Sequence, residues 1–285
     1  MRAPAGARIL LVDMITTILH VLALLLYAGA GALFGFSLAS GRSATPRFAV
    51  PLIGAAVLAH AGGLIAFTAQ FGELPLVGLS ASLSSFAFLI GTGLLAASLV
   101  TESRPIGLVL APLIALILLG VVAAGVAPSG EEPEFRGVWF AMHVLLAFIA
   151  YAAMAVAFAA SLLYLLQFRE LKHKRFGRVF RFVPPLETLD KTAYRALLVG
   201  FPALTLALAL GWAWTIRFRH SLTMDDPKVI WAVFSWVAFT VALVSRRGRV
   251  DVERRAARVT VTAFAAIVAV YVVLRISLAS RGVFL

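Results

Sequence analysis

Cysteine is absent from this chain of 285 residues. That excludes structural disulfides, thiolate metal sites, thiol–disulfide chemistry and thioether attachment of a cofactor to this polypeptide. Charge is also scarce. Asp, Glu, Lys and Arg make up 13% of positions, against about 25% in soluble domains. Acidic residues are the rarest part, 13 against 25 basic ones. The motifs of nucleotide and metallohydrolase chemistry are missing too: there is no HExxH, no GxxxxGK[ST], and no GxGxxG after a strand. In a soluble chain the net charge of +12 would suggest nucleic acid. Here basic residues gather beside apolar runs, as they do in membrane-flanking loops, and no nucleic-acid partner is expected.

What is abundant is apolar surface. Hydrophobic residues fill 62% of positions, and the mean hydropathy is +0.99. At roughly 20 apolar residues per spanning helix, the length accommodates about eight spans and little else. Eight runs are read at 10–39, 48–71, 77–99, 105–126, 138–168, 194–216, 227–245 and 257–279. They are continuous and rich in Leu and Ala rather than alternating, which favours helices over barrel strands. The expected fold is an all-α, polytopic membrane helix bundle forming one integral membrane domain over 1–285. The loops 170–193 and 246–258 carry Lys172, Lys174, Arg175, Arg178, Arg181, Lys191 and Arg246, Arg247, Arg249, Arg254, Arg255, Arg258. Both are expected on the cytoplasmic side. Counting backwards puts both termini, and the stretch near 217–228, outside. Around the first span Arg2 and Arg8 balance Arg42 and Arg47, so the C-terminal half sets this orientation.

Polar side chains inside a bilayer need a partner or a task. His20 and His60 lie near the middle of their spans and could face one another. Hydrogen bonding between packed helices, a shared ligand and a proton path all remain open for them. His143 lies about one and a half turns into the fifth span, close to the outer surface. Tyr151 follows eight residues later, on what reads as nearly the same face. Ala141, Ala147, Ala150, Ala152 and Ala153 around them permit close helix approach or a flat ligand. A neutral imidazole there is a suitable axial ligand for haem iron. A second group follows: Trp212, Trp214, Arg217, Arg219, His220, Asp225, Asp226, Pro227, Lys228, Trp231 and Trp236. Four tryptophans could form an interfacial belt. Alternatively, they form an aromatic shelf rimmed by cations, which suits a porphyrin and its propionates. Asp226 and Pro227 also suit a helix start, one as cap and the other in the first turn.

Asp226-Pro227-Lys228, with Trp231 and Trp236 at successive steps of five, resembles the tryptophan-rich motif of the cytochrome c assembly membrane proteins of the CcsA/CcmC/HemX type. Trp139 to His143, continuing to Tyr151, is similar to the histidine-bearing span before that motif in the CcsA branch. Pro184 to Asp190 and the run at 162–167 resemble the HemX-like branch. The resemblance is clearest over 138–245. It implies an outward-facing, non-covalent haem b site, with His143 as ligand and Asp226, Trp231, Trp236 and Trp214 at motif positions. Three departures stand out. Asp225 replaces an aromatic, Val229 replaces a Glu, and Ala279 to Gly282 offers no histidine beyond the motif. His220, on the same side as His143, is then the expected second iron ligand.

The resulting expectation is a haem-binding protein of the bacterial inner (plasma) membrane that acts in cytochrome c biogenesis. It would hold or present haem on the outer side for attachment to apocytochrome c, alone or with other cytochrome assembly subunits. Attachment would use the apocytochrome's thiols, so this chain is expected to have no catalytic residue of its own. Trp214, Trp231 and Trp236 would flank the porphyrin plane, with Trp231 the one in contact and Trp236 turned towards the neighbouring helices, and Arg217, Arg219 or Lys228 would neutralise propionates. One rival is a HemX-like membrane regulator of haem biosynthesis that contacts a cytoplasmic partner through 170–193. The other is a secondary transporter, weakened by the lack of central acidic residues.

Overall fold

The computed structural model describes residues 5–41, 48–101, 103–128, 137–174, 177–218, 227–246 and 252–279, with backbone only for 5–13, 218, 228 and 275–279. Every regular element among them is helical: α1 (Ala5–Ala39), α2 (Ala49–Phe71), α3 (Leu79–Val100), α4 (Gly107–Ala124), α5 (Val138–Lys172), α6 (Arg178–Phe182), α7 (Leu186–Phe218), α8 (Pro227–Val244) and α9 (Val252–Ala279), with a 3-10 turn at Arg104–Ile106. Seven of these helices are long and apolar enough to cross a membrane, and Val229–Val244 within α8 is a shorter apolar stretch. The expected helical, polytopic architecture is therefore the one observed. The chain forms two compact units, Met1–Arg136 and Gly137–Leu285.

In the first unit, α1 packs against α2 and α4, and α3 against α2 and α4. Tyr27, Phe34, Ile53, Phe67, Ile90, Leu94, Leu110 and Ile114 are fully buried between them. The helices meet closely because glycines stand under large side chains. A methyl group at Gly91 would overlap the Tyr27 hydroxyl, and one at Gly107 the Phe34 ring. Without a hydrophobic force between helices in lipid, such close contact supplies the dispersion that holds them together. Outward-facing Leu25, Leu58, Ile65, Leu99 and Leu116 are exposed, as suits a lipid-facing surface. Gly72 ends α2 in the left-handed region (φ 69°), its N–H bonded to the Thr68 carbonyl, an arrangement that costs glycine no Cβ clash.

In the second unit, α5 packs along α7 and α9, and α8 closes the group against α7 and α9. The buried alanines of α5, among them Ala150, Ala155, Ala157 and Ala160, allow this approach. At Gly200 a methyl group would stand 2.9 Å from Phe239 of α8 and 3.1 Å from the Ala150 carbonyl of α5. Four boundaries differ from the sequence expectation by four residues or more. α1 begins at Ala5, not 10, α5 ends at Lys172, not 168, α7 begins at Leu186, not 194, and α9 at Val252, not 257. The turns added to α7 and α9 are polar on one side yet keep Leu189, Ala193 and Ala256 buried on the other, so packing extends these helices beyond the apolar core. Much of the basic stretch 170–193 is thus helix rather than loop.

The basic stretches meet at one end of this unit. Tyr164 of α5 donates to Glu253 of α9 at 3.3 Å. Arg254 lies over the Phe168 ring at 4.9 Å, and Arg246, just past α8, bonds Asp190 of α7 at 2.5 Å. Glu170 accepts the Phe180 N–H at 2.8 Å and so fastens α6 to the end of α5.

Candidate functional site

The opposite end of the second unit carries His143. Gly137 leads into α5 in an extended conformation, and the first two turns of α5 lie against the last three of α7. The Trp139 indole donates to the Leu210 carbonyl at 3.1 Å. One turn on, His143 Nδ1 lies 2.7 Å from the Ala207 carbonyl oxygen. A carbonyl only accepts, so Nδ1 carries the hydrogen and Nε2 keeps its lone pair. A carbonyl partner on one ring nitrogen is the usual way that the other nitrogen is made ready for a metal. The half-buried ring fits because residue 211 has no side chain. A methyl group there would stand 2.8 Å from Cε1 and 3.0 Å from Nδ1.

Further along α7 come Trp214, half-buried and one helical step (i+3) from Gly211, and Arg217, exposed in the last turn. Arg219, His220 and Asp226 lie outside the described residues, as does the Lys228 side chain. Trp231 sits where α5, α8 and α9 meet. Its ring centroid is 4.8 Å from Tyr151 and 5.5 Å from Tyr271, and its indole N–H donates to the Ile267 carbonyl at 3.4 Å. Trp236 faces α7 instead, 5.7 Å from the Phe201 ring and bonded to Thr205 Oγ1 at 3.1 Å. The two rings point to different neighbours because five residues turn a helix by about 500°, leaving them roughly 140° apart.

Tyr151 corrects a sequence expectation. It packs on Trp231 of α8, whereas His143 packs on α7. Eight residues overshoot two turns, so the two side chains are offset by about 80°. Three contributors were not assigned a role from sequence: Trp139, the Ala207 carbonyl and Tyr271. Trp139 had a usable signal, lying four residues before His143 on the same helical face. The carbonyl had none, because its partner depends on the register between two helices.

His20 and His60 form a separate cluster inside the first unit. Both rings are fully buried, with centroids 5.5 Å apart. Ser84 of α3 lies between them, 2.9 Å from His20 Nε2 and 3.0 Å from His60 Nε2. His20 Nδ1 lies 2.7 Å from the Thr16 carbonyl, so Nδ1 carries the hydrogen and Nε2 accepts from the Ser84 hydroxyl. Ser84 Oγ then accepts from His60 Nε2–H, which leaves His60 Nδ1 bare, buried and unpartnered. Of the readings left open by the sequence, hydrogen bonding between packed helices is the one observed directly. Both Nε2 atoms are committed to one hydroxyl, with no ligand position shared between them.

Among the described residues no group of three or more His, Cys, Asp or Glu could hold a metal ion. A porphyrin brings its own four nitrogens, so one or two axial imidazoles suffice. The lone pair of His143, whose ring is seated against Gly211, fits that requirement.

The fold defines a class: a multi-pass helical membrane protein, here with His143 hydrogen-bonded between two helices at the end of a tryptophan-bearing unit. Comparison with known families narrows it. Residues 50–283 match the model described as "Cytochrome C assembly protein", and the chain belongs to that family. Relatives carrying the name "Cytochrome c biogenesis protein CcsA" include those of Chlamydomonas reinhardtii (32% identical over 114 residues, 40% of this chain and 31% of that protein), Parasynechococcus marenigrum (32% over 177 residues, 54% and 58%) and Synechococcus elongatus (26% over 266 residues, 75% and 79%). The matched stretches thus span 31% and 58% of the first two, less than two thirds of their length.

Proposed function

We propose that the protein binds haem non-covalently and acts in cytochrome c biogenesis, holding haem at the outer face of a bacterial inner membrane for transfer to an apocytochrome. The observation that carries this reading is the His143 seat, where Nδ1–H is held by the Ala207 carbonyl and Nε2 is left free over Gly211. The family match and the names of the relatives support the same role. When bound, haem would supply the iron and the vinyl groups that apocytochrome thiols attack.

The chain's own task is to bind and orient. His143 Nε2 is the proposed axial ligand, with His220 as the second. Trp214 would cover one porphyrin face, while Arg217 and Lys228 would neutralise propionates. Asp226 would cap the start of α8. Trp231 and Trp236 would serve from beneath, fixing α8 against α5, α9 and α7. The placement of basic residues at the far end supports an orientation with that end cytoplasmic and the His143 end outside, both termini lying outside.

The test is an absorption spectrum of detergent-purified protein. A Soret band in the wild type, lost or shifted in His143→Ala at equal folded yield, is expected. A band that survives His143→Ala unchanged overturns the ligand assignment. Absence of haem both on purification and after its addition overturns the function.

A further inference from the structure

Arg246 presents an unused pair of hydrogen-bond donors at the basic end of the second unit. Its side chain is only 8% exposed. Nη1 is committed to Asp190, to the carboxylate at 2.5 Å and to the backbone carbonyl at 3.4 Å. The guanidinium carbon lies 5.6 Å from the centroid of the Tyr194 ring. Nε and Nη2, both buried, have no partner. These two nitrogens form one edge of the guanidinium, and their N–H bonds run parallel as a fork. Such a fork matches two oxygens of one carboxylate or phosphate. Buried charged donors without an acceptor are costly, so an edge left open in this way points to an acceptor.

We infer that the Nε/Nη2 edge of Arg246 is a binding site for one phosphate-type oxyanion at the membrane surface. Three features favour phosphate. Arg246 lies two residues past Val244, where the apolar stretch of α8 ends, and lipid phosphates are expected just beyond such an end. The same end of the unit carries Lys172, Arg178, Arg181, Lys191, Arg254 and Arg255 against Glu170, Glu187 and Glu253, so an added anion still meets surplus positive charge. Asp190 already balances Arg246 through Nη1, and the fork is free to take a ligand without breaking that pair. The chemistry is shared by a phospholipid headgroup and by free phosphate. Nothing in it depends on haem.

The full chain in nanodiscs of phosphatidylcholine, with or without phosphatidylglycerol, tests the site, with thermal unfolding as the readout. Phosphatidylglycerol is expected to raise the midpoint of the wild type. Arg246→Lys keeps a cation for Asp190 but has no fork. It should keep the phosphatidylcholine midpoint and weaken the apparent affinity for phosphatidylglycerol about tenfold, the scale of one charge-assisted hydrogen bond. If Arg246→Lys does not fold, the double variant Asp190→Asn/Arg246→Gln, which leaves no buried charge, replaces it. Inorganic phosphate added in detergent distinguishes the sources: a rise there supports free phosphate, and a rise only with phosphatidylglycerol supports the headgroup. An equal rise in wild type and variant means general surface charge, and no rise with either probe means a fork solvated by water. Either outcome overturns the site.

Discussion

Replacing Gly211 with alanine separates haem binding from folding. The new Cβ would stand 2.8 Å from Cε1 of His143, so the ring must retreat by roughly 0.6 Å to reach an ordinary carbon contact of about 3.4 Å. The retreat stretches the 2.7 Å bond from Nδ1 to the Ala207 carbonyl, at a cost of about 1 kcal/mol. Against this, alanine in a helix interior gains about 0.8–1 kcal/mol over glycine. The two effects nearly cancel, and the unfolding midpoint should change little. Ligand orientation has no such compensation. Losing the partner of a metal-bound histidine typically weakens metal affinity about 10–100-fold, and that is the loss expected in a haem titration followed by absorbance. Unchanged haem affinity in folded Gly211→Ala would refute the idea that the Ala207–Gly211 seat positions the ligand. A collapse of stability would instead show that the ring cannot move.

Other perturbations follow from the same geometry. Ser84→Ala leaves two buried imidazole nitrogens without partners and should cost about 2–4 kcal/mol in a detergent unfolding titration; a loss below about 0.5 kcal/mol would discard the Ser84 bridge. Tyr27→Phe removes a buried hydroxyl that has no partner, so it should be neutral or stabilising, and it should also relieve the damage done by Gly91→Ala; failure of that rescue would remove the contact between them. Trp231→Ala should lower the unfolding free energy by about 2–4 kcal/mol, because the ring joins α5, α8 and α9; a change in haem affinity alone, with stability intact, would return Trp231 to the porphyrin face. Reporter fusions at 170–193 and 246–258 should read cytoplasmic, and an external signal from either would invert the proposed orientation.

Hydropathy alone located the helices, because a spanning segment must satisfy its backbone internally and stay apolar over its length. It could not find where α7 and α9 begin. Beyond the apolar core, continuation depends on whether one side of a polar turn is buried, as Leu189 and Ala256 are. His143 was legible as a rare polar residue in an apolar run, and the pairing of His20 with His60 was legible from their similar depth. Ser84 was not, since a lone serine in a span more often bonds its own helix, as Thr92 does to Phe88 here. The misreading of Tyr151 shows the limit of periodicity: an error of one residue in spacing moves a side chain by about 100° and onto another neighbour.

The lengths of α5 and α7 bear on where chemistry can occur. Their 35 and 33 residues correspond to about 50 Å each, more than the ~40–45 Å of a whole bilayer with its headgroups. Such helices reach both interfaces, and their polar features sort to the ends accordingly. His143 and Glu170, twenty-seven residues apart on α5, are separated by about 40 Å. An imidazole near mid-bilayer would hold a ligand away from any water-soluble acceptor. At one extremity of α5 the proposed ligand, an amphiphile, would keep its apolar ring among helices and turn its charged edge to water. In the first unit, by contrast, α2, α3 and α4 carry no Asp, Glu, Lys or Arg within their bounds, and neither does α1 from Met14 onward. Its histidines are tied through Ser84 into a buried hydrogen-bonded chain that runs from the Thr16 carbonyl to His60. On the proposed function the second unit is the one that would handle haem, and substitutions at His20 or His60 should alter stability before they alter haem content per folded molecule.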